Sequence, residues 1–190
     1  MPTSADPAIP VIDRTIALVG LMGVGKSTVG RRLARRLDRP FVDADLEIEA
    51  AAGMTVSDIF ARLGEPEFRA GEARVIRRLL DGPAHVLATG GGAMLNAGTR
   101  DLLKQQAVTV WLRADLDVVT ARVARRDTRP LLRGRDPLAT LQALAEARYP
   151  IYATADVTVD VGAGSHAQAV DAVLAALIRW TTRGEAEATE

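Results

Sequence analysis

Nine residues at positions 20 to 28, GLMGVGKST, put three glycines, a lysine and two hydroxyls directly behind the aliphatic run TIALV. Gly20 through Ser27 fit the pattern GxxxxGK[ST]. In that pattern backbone N–H groups, here those of Gly23 to Ser27, converge on a phosphate, and the helix that follows adds the positive end of its dipole. Lys26 then neutralises the β and γ phosphates, and Ser27 offers an oxygen to Mg²⁺. Such a loop holds a nucleoside triphosphate. A glycine-rich turn with a chance lysine is the plainer alternative, but a turn needs neither a buried strand before it nor a helix after it.

Four further groups are suited to chemistry. Asp43 and Asp45 end the run FVDAD. Alternation along a strand sends them to opposite sides, yet at a strand terminus both can turn into one cleft. There Asp43 is placed to order a water of a Mg²⁺ shell, and Asp45 to accept hydrogen bonds from an acceptor hydroxyl. The alternative is that Asp45 only caps the helix beginning LEIE. Arg69 and Glu72, three apart in EFRAGE, share a helix face and can pair, although most such pairs are solvated surface bridges. Gly90, Gly91 and Gly92 exceed what a tight turn requires, and their missing side chains let a ligand lie against the backbone. Arg125, Arg126, Arg129, Arg133 and Arg135 crowd one proline-containing loop. It is either a solvated surface or a lid that folds over ATP. His85 and His166 stand alone and are assigned no chemistry.

The elements that must carry these groups follow from periodicity. Arg14 to Gly20 has the profile of a strand buried on both faces. A helix begins near Gly25, with Val29, Leu33, Ala34 and Leu37 on its apolar side, and ends at Pro40. PFVDAD is a brief second strand. LEIEAAAG is a short helix closed by Gly53, TVSDIFARLG a second one capped by Thr55 and closed by Gly64, and Glu65 to Leu80 a third. HVLATGGGAM is a strand and glycine turn, and Asn96 caps a helix through Gln106. AVTVWLRA is a strand, and Leu116, Val119 and Val123 mark a helix that dissolves into RRDTRPLLRGRDP. Pro137 to Arg148 is helical, DVTVD is the last strand and HAQAVDAVLAALIRW an amphipathic closing helix. Strands alternating with helices demand a parallel sheet covered on both faces. Ligands then gather at the carboxyl ends of the strands, where GLMGVGKST, DAD and TGGG all fall.

Composition narrows the partners. Lys and Arg number 24 against 24 Asp and Glu, so nothing in the global charge draws the chain to nucleic acid or an anionic membrane. No run reaches the ~18 apolar residues of a membrane span. Cysteine is absent. That removes thiol chemistry and fits a reducing cytosol, so a cytoplasmic protein is expected. Residues 1–13 read as a loose arm, 14–182 as a single domain with a lid near 127–137, and 183–190 as a frayed tail. A monomer is expected.

GLMGVGKST, FVDAD, IFARLGEPEFRAGE, ATGGGAM, RPLL and ARYPIY occur in the order and spacing of the shikimate kinases, which the chain resembles from residue 14 to about 160. The resemblance implies a small P-loop kinase fold, α/β in three layers, with a five-stranded parallel sheet of order 2-3-1-4-5 and a mobile lid. It implies transfer of phosphate from ATP, with Mg²⁺, to the 3-hydroxyl of shikimate, a step toward the aromatic amino acids. By the same resemblance Gly23, Val24, Gly25, Lys26, Ser27 and Thr28 hold ATP, with Ser27 as metal ligand and Asp43 assisting through water. Asp45 binds the hydroxyls of shikimate. Arg69 and Arg148 grip its carboxylate, Gly91 and Gly92 lie beside its ring and Glu72 holds Arg69. Arg129 reaches ATP from the lid and Arg126 stacks on adenine. Where the family often has an arginine after the last strand, this chain has VDVGAGSH, so no adenine-contacting side chain is expected there.

Two rivals keep the first motif. A sugar-acid or nucleoside monophosphate kinase shares the loop but not DAD with EFR and TGGG. A non-catalytic nucleotide switch has no reason to assemble an acceptor pocket.

Overall fold

The computed structural model of the chain describes residues 12–124 and 136–187. Five strands, β1 (Thr15–Val19), β2 (Phe41–Asp43), β3 (Val86–Ala88), β4 (Ala107–Arg113) and β5 (Val157–Asp160), form one sheet in the order β2-β3-β1-β4-β5. Every pairing is parallel. Each strand therefore needs a crossover, supplied by α1 (Lys26–Arg36), α2 (Ala44–Ala52), α3 (Val56–Leu80), α4 (Ala97–Gln106), α5 (Leu116–Ala124) and α6 (Pro137–Tyr152). The closing helix is α7 (His166–Glu187). This is the α/β sheet order that the resemblance implied.

Alternation along β1 shows how the layers are held. Ile16 and Leu18 face one core with Val29 and Leu33 of α1 and Val173 and Leu177 of α7. Ala17 and Val19 face another with Ile76 and Leu80 of α3 and Leu103 of α4. Full burial of each such aliphatic side chain contributes roughly 1.5–3 kcal/mol, so the central strand is fixed from both sides. A third cluster, Ile48, Ile59, Phe68 and Val75, joins α2 to α3 at the β2 edge of the sheet.

β1 pairs with β3 on one side and with β4 on the other, and its carboxyl end opens at the point where the strand order reverses. The turns that follow β1, β2 and β3 share that rim. Gly53 closes α2 in a left-handed conformation and Thr55 caps α3 through a bond from the Asp58 N–H, as expected. The two helices expected on either side of Gly64 are both present within α3, joined at a kink where Gly64 leaves helical geometry (φ 83°, ψ 170°). Pro66, two residues on, lacks an N–H, which the first turn of a helix can spare, so it suits the start of the second segment. The tail expected from residue 183 begins inside α7, which continues to Glu187. Residues 1–11, most of the expected arm, lie outside the described residues. Among the described residues no helix is long and apolar enough to cross a membrane.

Candidate active site

The loop between β1 and α1 is shaped to receive an anion. Gly23 and Gly25 take φ of 79° and 105°, which side chains resist. A Cβ at Gly23 would also strike Val123 of α5, so this helix can pack on the loop only because residue 23 has no side chain. α1 starts at Lys26 with no side-chain cap and no acidic residue in its first turn. Its leading N–H groups and positive dipole end therefore face the cleft without a side-chain acceptor. Lys26 is 8% exposed, and its ammonium donates to the carbonyls of Gly20 (2.8 Å) and Leu21 (2.9 Å). That anchorage holds the charge inside the loop. Ser27 is exposed and Thr28 half-buried at the mouth of a cleft of about 470 Å³.

Asp43 and Asp45 enter this cleft from the end of β2. Asp43, the last strand residue, keeps extended angles (φ −108°, ψ 117°), and its Oδ1 accepts from the Asp45 N–H at 3.2 Å. Asp43 is thus the helix cap. The alternative role considered for Asp45 belongs to its neighbour, because the cap must be the residue still in β geometry. Asp45 sits exposed in the first turn of α2 and lines a second cleft as well.

That second cleft, about 540 Å³, brings together Asp43 and Asp45, Arg69 and Glu72 of α3, Gly90 to Gly92 after β3, and Arg148 of α6. Met22, Phe60 and Phe68 give it an apolar side. Arg69 Nη1 donates to Glu72 Oε2 at 2.8 Å, and Arg69 Nη2 to Glu65 Oε1 at 3.1 Å. The spacing in the sequence allowed a solvated surface pair. The structure shows a half-sunk one, with side-chain exposures of 19% for Arg69 and 3% for Glu72. Burial opposes the charge of Arg69, but Glu72 and Glu65 together outweigh it and hold the guanidinium more firmly protonated than usual. Burial pushes the Glu72 carboxyl above its ordinary value despite Arg69, and Asp45 adds to the rise. Among the described residues Glu72 Oε1 has no hydrogen-bond partner.

Three glycines in a row are explained by this pair. A Cβ at Gly90 would strike Glu72 Oε1, and one at Gly92 would strike the Arg69 guanidinium. At Gly91 the nearest atoms are at ordinary contact, 3.4 to 3.6 Å. Gly90 and Gly92 thus make room for the protein's own ionic pair. Arg148 comes from the far side. It is 6% exposed, its Nη1 donates to the Gly91 carbonyl at 2.9 Å, and among the described residues it has no ion pair. Two guanidinium groups, 79 positions apart in the chain, thus border one cleft. Asp43, Asp45 and Gly91 belong to both clefts, so the acceptor side and the phosphate side are continuous.

Other residues were not legible in the sequence. Arg122 of α5 donates to the carbonyls of Val24 and Gly162, both at 3.2 Å, and so ties the phosphate loop to the turn after β5. With His166 it lines the nucleotide-side cleft and a smaller neighbouring hollow of about 190 Å³. Burial, Arg122 and Arg32 hold His166 below its usual pKa. The turn itself is made of the small residues expected, Gly162 to Ser165, but His166 adds a ring where no side chain was expected to contribute. Arg122 and His166 gave no local signal beyond lying near the carboxyl ends of β4 and β5. Arg126 and Arg129 lie outside the described residues, as does the expected lid apart from Asp136 and Pro137, which cap and begin α6. Among the described residues no three His, Cys, Asp or Glu side chains form a metal cage.

Comparison with known proteins agrees with this geometry. A sequence model of the family described as shikimate kinase matches residues 22–178. The shikimate kinase of Caulobacter vibrioides (strain NA1000 / CB15N) is 61% identical over 173 residues, 91% of this chain and 86% of that protein. That of Rhodopseudomonas palustris is 52% identical over 176 residues, 93% and 87% of the two chains. Among solved structures, shikimate kinase from Acinetobacter baumannii in complex with shikimate superposes with a TM-score of 0.84 at 39% identity, covering 87% of this chain and 93% of that one. With the match spanning both clefts, the chain belongs to the shikimate kinase family.

Proposed function

We propose that the protein transfers the γ-phosphoryl group of ATP to the 3-hydroxyl of shikimate, giving ADP and shikimate 3-phosphate. One observation carries the assignment: Arg69 and Arg148, from different helices, border a cleft that already holds Asp45 and that opens onto the phosphate loop. A carboxylate matches a guanidinium bidentately, so an acceptor with a carboxylate at one end and hydroxyls at the other suits this cleft. In this reading Arg69 and Arg148 fix the carboxylate, and Asp45 accepts from the attacking hydroxyl and aligns it. The backbone at Gly91 and Gly92 lies beside the ring.

Phosphoryl transfer requires alignment and charge balance more than covalent help from the protein. Lys26 and the N–H groups from Gly23 to Thr28 hold the phosphates, and Arg122 and His166 border the space left for the rest of the nucleotide. Mg²⁺ usually takes one or two protein oxygens and leaves its other positions to phosphate and water, which suits Ser27 and Asp43, both lining this cleft, with no carboxylate cage among the described residues. Ser27 Oγ would be its ligand and Asp43 would order a bound water. When bound, the ion supplies further neutralisation of phosphate charge. The reading includes a monomer, and the demand for ATP supports a cytoplasmic location.

ADP release measured with shikimate, gluconate, AMP or CMP added singly tests the proposal. Turnover with shikimate alone is expected. Turnover with gluconate or a nucleotide instead, or with none of the four, would overturn it in favour of another small kinase or a nucleotide switch.

A further inference from the structure

Two donors from one face of α6 meet a single acceptor. Arg148 Nη1 donates to the Gly91 carbonyl at 2.9 Å, and Tyr152, one turn later, donates its hydroxyl to the same oxygen. A carbonyl oxygen has two lone pairs, and here both are used. Gly91 borders both clefts, and its Cβ position lies 3.4 Å from the Met22 nitrogen and 3.6 Å from the Gly20 carbonyl. Where that peptide stands therefore sets where Arg148 stands relative to the phosphate loop.

Tyr152 is otherwise held by packing and by Arg148 itself, whose guanidinium lies close enough to the phenol oxygen to oppose the effect of burial. It is 1% exposed, and its ring lies 5.9 Å from that of Trp111 and 6.5 Å from that of Tyr149. Burial raises its pKa above the ordinary 10.0, so the hydroxyl stays a donor across the neutral range. Arg148, with no ion pair among the described residues, has the Gly91 carbonyl as its fixed point.

We infer that Tyr152 is a positioning residue for acceptor binding: its hydroxyl pins the Gly91 carbonyl, which in turn orients Arg148 to receive the acceptor's carboxylate. The inference rests on the reading of the acceptor cleft proposed above. It differs from a merely structural role, in which the phenol satisfies a turn carbonyl and stabilises the fold to the same extent whether or not Arg148 is present.

Tyr152→Phe keeps the ring and removes the bond. Titration calorimetry with shikimate and, separately, with ATP is run on the intact protein, the variant, Arg148→Ala and the double variant, with melting temperatures alongside. Loss of one buried hydrogen bond weakens an equilibrium about two- to tenfold, and that is the expected loss of shikimate affinity, with ATP affinity unchanged. In the Arg148→Ala background the same substitution is expected to cost nothing further. Tyr149→Phe, from the same aromatic cluster but without the bond to Gly91, is expected to leave shikimate binding unchanged. Should the phenylalanine variant not melt cooperatively, the shikimate titrations are repeated at lower temperature with saturating ATP, which favours the folded state. Unchanged shikimate affinity in folded Tyr152→Phe, or equal losses with and without Arg148, overturns the inference and leaves the cleft assignment standing. A wild-type protein that binds ATP but not shikimate overturns both.

Discussion

Replacing Gly92 with alanine separates the two explanations of the glycine run. The backbone at Gly92 (φ −108°, ψ −2°) is open to any residue, so the substitution adds no strain of conformation. It adds only a methyl group, placed inside 3.0 Å of Nη1, Nη2 and Cζ of Arg69 at once. With all three atoms too close, rotation of the guanidinium within its own plane gives no relief, and the whole fork must swing away. The 2.8 Å bond to Glu72 Oε2 is then lost, and with it the orientation offered to a carboxylate. A charge-assisted hydrogen bond is worth about 1.5–3 kcal/mol, so shikimate should bind roughly ten- to a hundredfold more weakly. Gly91→Ala places its methyl group at ordinary contact, 3.4 Å or more from every protein neighbour, so its loss of shikimate affinity reports only how closely the ring lies on this backbone and should be smaller than that of Gly92→Ala. Gly90→Ala presses hardest on Glu72 Oε1, a buried oxygen without a hydrogen-bond partner among the described residues, and more lightly on Asp45 Oδ1 at 3.1 Å, so its main effect should be on stability. Calorimetric titration of shikimate onto the three variants, with ATP affinity and melting temperature as controls, distinguishes these outcomes. If Gly91→Ala loses as much shikimate affinity as Gly92→Ala at equal melting temperature, the glycines serve the ligand directly and the packing argument is wrong.

Three further outcomes are expected. Lys26→Met should abolish turnover while the protein stays folded, since the ammonium lies in the loop that faces phosphate; a folded variant with near wild-type turnover would falsify the phosphate-loop assignment. Arg69→Lys should remain impaired for shikimate because it restores charge but not the fork, whereas the methyl ester of shikimate should be a poor substrate of the wild type and should lose far less than the acid on Arg69→Ala; equal losses would show that Arg69 acts through structure. Glu72 has a folded pKa raised by burial above its ordinary 4.5, so the native state binds its proton more tightly than the unfolded chain, and its stability falls as pH rises from that value through the folded one. The melting temperature of Glu72→Gln relative to wild type should therefore climb between pH 4.5 and neutrality, and a flat or falling difference would remove the argument.

What the sequence revealed and what it concealed divide by the distance over which each feature is determined. The phosphate loop was legible because its glycines, lysine and hydroxyls lie within nine residues. Asp43 and Asp45 were found together, but which one caps α2 depended on where extended geometry ends, a matter of one residue that the composition of FVDAD does not encode. The Arg69–Glu72 pair followed from helical spacing. Its burial did not, because that is decided by Gly90 and Gly92, roughly twenty positions on, which leave the space the two side chains occupy.

Arg122, His166 and Tyr152 stand at the far end of this scale. An arginine on an amphipathic helix, a histidine after a turn of small residues and a tyrosine near a helix end are ordinary in sequence, and each gains its place only from a carbonyl or cleft supplied by another crossover. The same distinction explains why the acceptor was easier to name than the nucleotide side was to map. Arg69 and Arg148, which border one cleft, lie in the separate motifs EFRAGE and ARYPIY. The wall beside the phosphate loop is built instead from Arg122, which bonds to the carbonyls of Val24 and Gly162. Backbone acceptors exist at every position, so a side chain that recognises one leaves no complementary residue to find. Substitutions that change a partner's side chain will therefore expose the acceptor site, whereas the loop-to-turn bridge yields only to changes at Arg122 itself.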